Sequence, residues 1–247
     1  MYLPAIKAAN RADLLACATA AARNVLGLLR DAEMLASAGS LARAYSLAAL
    51  GVEECGKAFG LTALAALPEA IRLQAPVGRM LEWHQLKQVG GLLIAAVPID
   101  GPGTAAKLAA MPAEQATAIL TDLGLPADEA DHLKRRGLYV DMDRSGRIRE
   151  PSEITGPELA SQLARARKSA ISAGLLLGPV AQARLADPPA EVTELAAALV
   201  HALIREGNSR TPEAAARILL DAVRELHATM AARHKPARAT GTATPPS

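Results

Sequence analysis

Leu41-Ala-Arg-Ala-Tyr-Ser-Leu-Ala-Ala-Leu-Gly-Val-Glu53-Glu54-Cys-Gly-Lys57-Ala-Phe-Gly-Leu61 is the stretch that decides the fold. Its apolar residues surround the axis of a predicted helix instead of lining one face, which marks the central helix of a bundle. Glu53, Glu54 and Lys57 interrupt the apolar run, and buried charges are costly unless they are paired or used. Glu53 lies four residues before Lys57 and Glu54 three before it, so the spacing predicts one ammonium reaching both carboxylates. Gly51, Gly56 and Gly60 recur around the cluster. Each lowers helix propensity by up to ~1 kcal/mol relative to alanine, and the close approach of a neighbouring helix would account for them. On spacing alone, a helix-internal ion pair that fixes bundle register and a functional cleft stand level.

Outward from this helix the pattern stays helical. Leu14, Leu15, Ala18, Ala22, Val25, Leu26 and Leu29 recur at three- and four-residue intervals in a first helix from Ala5 to near Ala38, with Gly39 as its stop. Ser40 is the expected cap of the second helix, which runs to Leu67 and ends at Pro68. The short turn predicts antiparallel packing. Pro76 and Gly78 open a third helix through Trp83, Leu86, Val89, Leu92 and Ile94 to Pro98. Helical patches follow at 104–110 and 112–123. Gly137 to Ile148 is short and β-flavoured, so an extended segment or small hairpin near 137–149 is expected, turned at Arg144-Ser145-Gly146 and packed back on the bundle through Leu138 or Val140. A long helix from Thr155 or Gly156 to Leu185 is followed by two more, at 190–206 and 212–233, the last with Thr211 as cap and Pro212 at its first position. The expected organisation is a single helical-bundle domain over 1–234 with an insertion at 98–155, and a disordered tail at 235–247.

Composition agrees with an all-α class. Of the 247 residues 51% are hydrophobic but only 2% aromatic, so the core is built from Ala, Leu, Val and Ile, and an all-β fold is excluded. Lysines and arginines number 27 against 25 acids, and the net charge of +2 gives no whole-molecule field that would advertise nucleic acid or an anionic membrane. Cys17 and Cys55 are too few and too far apart for a disulfide framework or a four-ligand zinc site. No leader-like segment is visible, and the longest charge-free stretch, Ser169 to Ala183, is too short to cross a bilayer. A cytoplasmic protein with no membrane partner is therefore expected.

His84, Lys87 and Gln88 form one polar stripe on the third helix. Such a stripe is ordinarily a solvated face; it gains interest if the third helix packs on the second and brings it against Glu53 and Glu54. Arg79 and His84 also match an Arg, four residues, His spacing used by some RNA-cutting helical domains. A five-residue offset sets the two side chains about 140° apart, so Arg79 would have to reach from the frayed start of the helix. Glu53, Glu54 and His84 could also be read as metal ligands, but carboxylate-bridged bundles use more carboxylates and a Glu-x-x-His pair on one helix, to which none of these three belongs, so neither metal nor cofactor is expected.

Three stretches resemble the AbiV-type abortive-infection family of the HEPN superfamily. The first runs from Asn24 through Leu28-Leu29-Arg30-Asp31-Ala32, Gly39, Ala44 and Leu47-Ala48 into Glu53-Glu54-Cys55-Gly56-Lys57. The second is His84, Leu86 and Lys87; the third is Lys134 to Pro151, with Gly137-Leu138-Tyr139-Val140-Asp141. The resemblance implies a HEPN-like antiparallel helical bundle in bacterial anti-phage defence, forming a homodimer, acting on RNA or the translation machinery and answering to a phage protein activator. If the protein is a metal-independent endoribonuclease, His84 is the general acid or base, Glu54 orients His84 or activates the ribose hydroxyl, Glu53 and Lys57 complete the catalytic cluster, and Lys87 and Arg79 bind substrate, with Lys87, Lys57 or Arg79 stabilising phosphate charge. The alternative is a non-catalytic binding module that blocks translation through a protein partner.

Overall fold

The computed structural model describes residues 9–96, 130–139, 141–142, 145–151, 154–178, 190–207 and 212–233, with a few isolated positions between them. Helix α1 (Arg11–Ser37) is capped by Asn10, whose side chain accepts from the Asp13 amide at 2.9 Å. It ends at Gly39, whose φ of +79° gives the left-handed turn that reverses the chain. Helix α2 (Leu41–Ala66) then folds back along α1. Ser40 stands at its start but makes no side-chain capping bond, contrary to the sequence expectation.

The single third helix expected from Pro76 to Pro98 is broken. Two short helices, α3 (Glu69–Gln74) and α4 (Val77–Glu82), precede α5 (His84–Ala96), and Trp83 between them is extended, with φ −78° and ψ 106°. Trp83 is buried, so the break is held in the core. Residues 130–138 form a helix that the sequence pattern did not announce, here called α6; Gly137 and Leu138 belong to its last turn and not to an extended segment. The expected hairpin begins after it, with β1 (Asp141–Met142) antiparallel to β2 (Ile148–Arg149) in the register Asp141 to Arg149. Helix α7 (Gly156–Leu176) opens with a capping box between Thr155 and Glu158 and stops short of the expected Leu185. Helices α8 (Ala190–Arg205) and α9 (Pro212–Arg233) complete the all-α bundle. The expected helical patches at 104–110 and 112–123, most of the proposed insertion, and the tail at 235–247 lie outside the described residues.

Helix α2 is central, as its all-round apolar pattern demands. It packs against α1, α5, α7 and α8, while α8 and α9 pair with each other and α9 also meets α5. The α2–α5 crossing is close because of glycine: a Cβ on Gly56 would run into the Lys87 carbonyl, and one on Gly91 into the Val52 carbonyl. Gly51 and Gly60 have only ordinary neighbours, with nearest contacts at 3.7 and 3.6 Å, so close approach explains one of the three recurring glycines of α2. Among the described residues α1 is long and apolar enough to cross a membrane by length and composition alone; here it packs on α2 and α7.

Candidate functional site

The α2–α5 crossing sets Glu53 against the first turn of α5. His84 is the first residue of α5, and Lys87 and Gln88, three and four positions on, share its face. All three reach Glu53. His84 Nδ1 lies 2.6 Å from Oε2, Gln88 Nε2 donates to Oε1 at 3.0 Å, and Lys87 Nζ stands 3.6 Å from Oε2. Lys134 comes in from α6 and places its ammonium 2.5 Å from Glu53 Oε1 and 2.8 Å from Asp131 Oδ1. Arg135 holds the other Asp131 oxygen at 2.9 Å. Helix α6 is held at this distance by its backbone: Ser46 Oγ bonds the Ala42 and Lys134 carbonyls, and a Cβ on Gly137 would strike Ser46 and Ala42.

The electrostatics follow from that ring of donors. Burial alone would raise the Glu53 pKa; the His84 hydrogen bond and the charge and hydrogen bond of Lys134 outweigh it and hold the carboxyl at about 2. Burial likewise pushes the Lys134 ammonium down, and Glu53 and Asp131 more than reverse this, so its pKa is raised. Glu53 is therefore an ionised acceptor at neutral pH, and the His84 nitrogen facing it must carry a proton. Nε2 is then the ring nitrogen left for other chemistry, on a side chain that is 53% exposed while the Glu53 side chain is 3% exposed. A buried carboxylate orienting a half-exposed imidazole is an arrangement that can move a proton.

The expected cluster is thus split. Lys57 bonds Glu54 at 3.1 Å, each side chain 20% exposed, and Glu53 turns away from both toward α5 and α6. One ammonium does not bridge the two carboxylates, and the carboxylate on His84 is Glu53, not Glu54. Lys87 stands beside Glu53 with a side chain only 10% exposed. Arg79 falls in α4, beyond the break at Trp83, so the one-helix offset between it and His84 does not apply; its side chain lies outside the described residues. Cys55 faces α7, where its thiol donates to the Ser169 carbonyl at 3.6 Å, and burial pushes that thiol up to about 12, which leaves it no nucleophile.

Asp131, Lys134 and Arg135 were missed. Glu53 and Lys134 are 81 positions apart, and no helical spacing links them; the one signal was Lys134 as the first residue of the third family-like stretch. Glu53, His84 and Asp131 each offer a ligand atom within 4.8 Å of the others, a different trio from the one considered in the sequence. The Lys134 ammonium already lies against both carboxylates, where a metal cation would have to sit, so the donor set fits the lysine better than an ion. A nearby cavity of about 20 Å³, lined by Gly56, Phe59, Met80, Leu86, Leu199 and Leu219 among others, is apolar and no larger than a water molecule needs. A substrate would have to approach on the open side of His84.

The family model HEPN_AbiV, described as AbiV, matches residues 13–171, more than half of the chain. The chain belongs to the AbiV family. That membership carries an abortive-infection, HEPN-type function and agrees with the helical bundle. No curated protein and no solved structure matches the chain. In this AbiV-family protein Glu53, His84, Asp131, Lys134 and Arg135 all fall within the matched segment, whereas α8 and α9 follow it.

Proposed function

We propose that this AbiV-family protein is a metal-independent endoribonuclease of anti-phage defence, with His84 as its proton-transfer group. The observation that carries the proposal is the 2.6 Å bond between His84 Nδ1 and a buried, ionised Glu53, on an imidazole that is half open to solvent. RNA supplies its own nucleophile. His84 Nε2 takes the proton of a ribose 2′-hydroxyl, the oxygen attacks the adjacent phosphorus, and the bond to the 5′-oxygen breaks. The imidazolium then returns the proton to that leaving oxygen, so the ends are a 2′,3′-cyclic phosphate and a 5′-hydroxyl. Glu53 fixes the tautomer and stabilises the imidazolium, as a carboxylate does behind a catalytic histidine. Lys87, Lys134 and Gln88 hold Glu53 in place. Glu54 and Lys57 are assigned a structural pair, and a cytoplasmic homodimer is part of the same reading.

Incubation of the purified protein with total RNA in EDTA, with mapping of cut ends, tests this. Cleavage to cyclic-phosphate ends is expected, and His84→Ala should lower its rate by about 10²-fold or more. Cutting by His84→Ala at the parent rate would reject the assignment. The second reading, a binding module that blocks translation through a protein partner, draws on the apolar side chains Leu138 and Ile148, 41% and 60% exposed beside the hairpin. It predicts phage protection without RNA cleavage by either protein.

A further inference from the structure

Helix α6 does more than supply the lysine behind Glu53. Asp131, Arg135 and Tyr139 are spaced by four, and the Tyr139 amide still donates to the Arg135 carbonyl at 3.0 Å, so the three occupy one face. A rise of 1.5 Å per residue separates successive members by about 6 Å along the helix. Only the first member of the stripe is buried. The Asp131 side chain is 8% exposed and has a carboxylate oxygen within 4.8 Å of a His84 ring nitrogen. The Arg135 side chain is 63% exposed, and Tyr139 is 62% exposed. The stripe starts at the imidazole and leads outward through a guanidinium to an aromatic ring.

Charge at the inner end favours an anion. The two buried carboxylates, Glu53 and Asp131, face three cations, Lys87, Lys134 and Arg135. The positive excess of one is offered to solvent by Arg135, since Lys87 and Lys134 are 10% and 7% exposed. Asp131 bonds one edge of the guanidinium and thereby aims it, leaving its other N–H groups for a phosphate oxygen. An open aromatic ring one turn further on suits an unpaired base, whose face is available for stacking as a duplex base is not.

We propose that the outer face of α6 is a single-stranded RNA track, in which Arg135 binds a phosphodiester next to His84 and Tyr139 stacks on a flanking base. This rests on the ribonuclease reading for its direction but is read out by binding alone. The probe is a fluorescein-labelled, fully 2′-O-methylated ten-nucleotide RNA, which lacks the nucleophile and cannot be cut, titrated with the full-length protein at several salt concentrations. Arg135→Gln should weaken binding at least fivefold and reduce the slope of log affinity against log salt by about 0.7, the value for one phosphate contact on a single strand. Tyr139→Ala should weaken binding about fivefold or more, Tyr139→Phe should bind as the parent does, and the salt slope of both should stay unchanged. Both side chains are exposed, and thermal melts should match the parent.

Failure of the track and failure of the ribonuclease reading are separable. If Arg135→Gln and Tyr139→Ala bind the probe like the parent while cleavage still depends on His84, the track is wrong and the enzyme stands. If the parent does not bind the probe at all, or binds a duplex of the same length equally well with no effect of Tyr139→Ala, the track is also rejected. If the variants lose binding as expected but neither the parent nor His84→Ala cuts RNA, the track holds and the cleavage chemistry falls.

Discussion

Glu53 is the residue whose surroundings turn a charged interruption of an apolar helix into a site. Its pKa of about 2 lies below the ordinary 4.5, so folding stabilises the ionised form. A lowered carboxyl contributes stability above its unfolded pKa and loses it as pH falls through the folded one. The contribution, roughly 3 kcal/mol, should be intact above about pH 4.5 and disappear toward pH 2. Lys134, with a raised pKa, adds stability that is lost only at alkaline pH. Glu53→Gln is expected to reduce the acid-side slope, read from denaturant midpoints between pH 2 and 6, leaving the part due to Glu158 and Glu225, whose carboxyls are also held below their ordinary pKa; an unchanged slope would mean that Glu53 is not held ionised. Glu53→Ala removes the buried carboxylate that His84, Lys87, Gln88 and Lys134 share, leaving Lys134 with Asp131 alone, and should cost about 3–5 kcal/mol, whereas Glu54→Ala breaks a partly solvated pair with Lys57 and should cost at most about 1 kcal/mol. The sequence exposed the presence of this cluster but not its pairing. Spacing on α2 gives both Glu53 and Glu54 to Lys57, and only the tertiary approach of α5 and α6 separates them.

Among the elements, the long helices were legible and the interruptions were not. The apolar period located α1 and α2, and α7 begins at Gly156, one of the two starts read for it. The break at Trp83 left no mark, because an extended residue flanked by helical patterns does not disturb the apolar recurrence that reveals a helix. Helix α6 was hidden for a different reason: Asp131, Lys134 and Arg135 look like a solvated charge run until Lys134 is seen to be buried. The glycines of α2 provide a measurable contrast. Gly56→Ala should gain helix propensity of up to ~1 kcal/mol and still destabilise the protein, since the new methyl must displace the Lys87 backbone, at a cost typical of overpacking, about 1–3 kcal/mol. Gly60→Ala, with Leu81 Cδ2 at 3.6 Å from the new carbon, should be neutral or stabilising. Paired thermal melts decide this. Equal effects at the two positions would mean that the α2–α5 crossing is looser than its backbone contacts indicate.

At the level of the whole chain, the family match ends at residue 171 while the apolar core does not. Leu199, Val200 and Leu203 of α8 and Ile218 and Leu219 of α9 belong to the same buried cluster as Leu61 and Leu64 of α2 and Leu86 and Val89 of α5. Thr193 of α8 also reaches the Ala66 carbonyl at the end of α2, at 3.4 Å. An all-round apolar helix needs cover on every side, and α8 provides one of those sides. The stability of a domain is a margin of about 5–15 kcal/mol left between burial and chain entropy, each far greater than that margin, so stripping one covering layer from α2 and α5 is expected to exceed it. The full chain should therefore melt in a single calorimetric transition, and a chain stopped after Gly178 should lose cooperative melting and bind a hydrophobic dye through the uncovered faces of α2 and α5. A truncated chain that melts cooperatively at the parent midpoint would show that α8 and α9 are an accessory unit, and the expectation of one domain over 1–234 would fall with it.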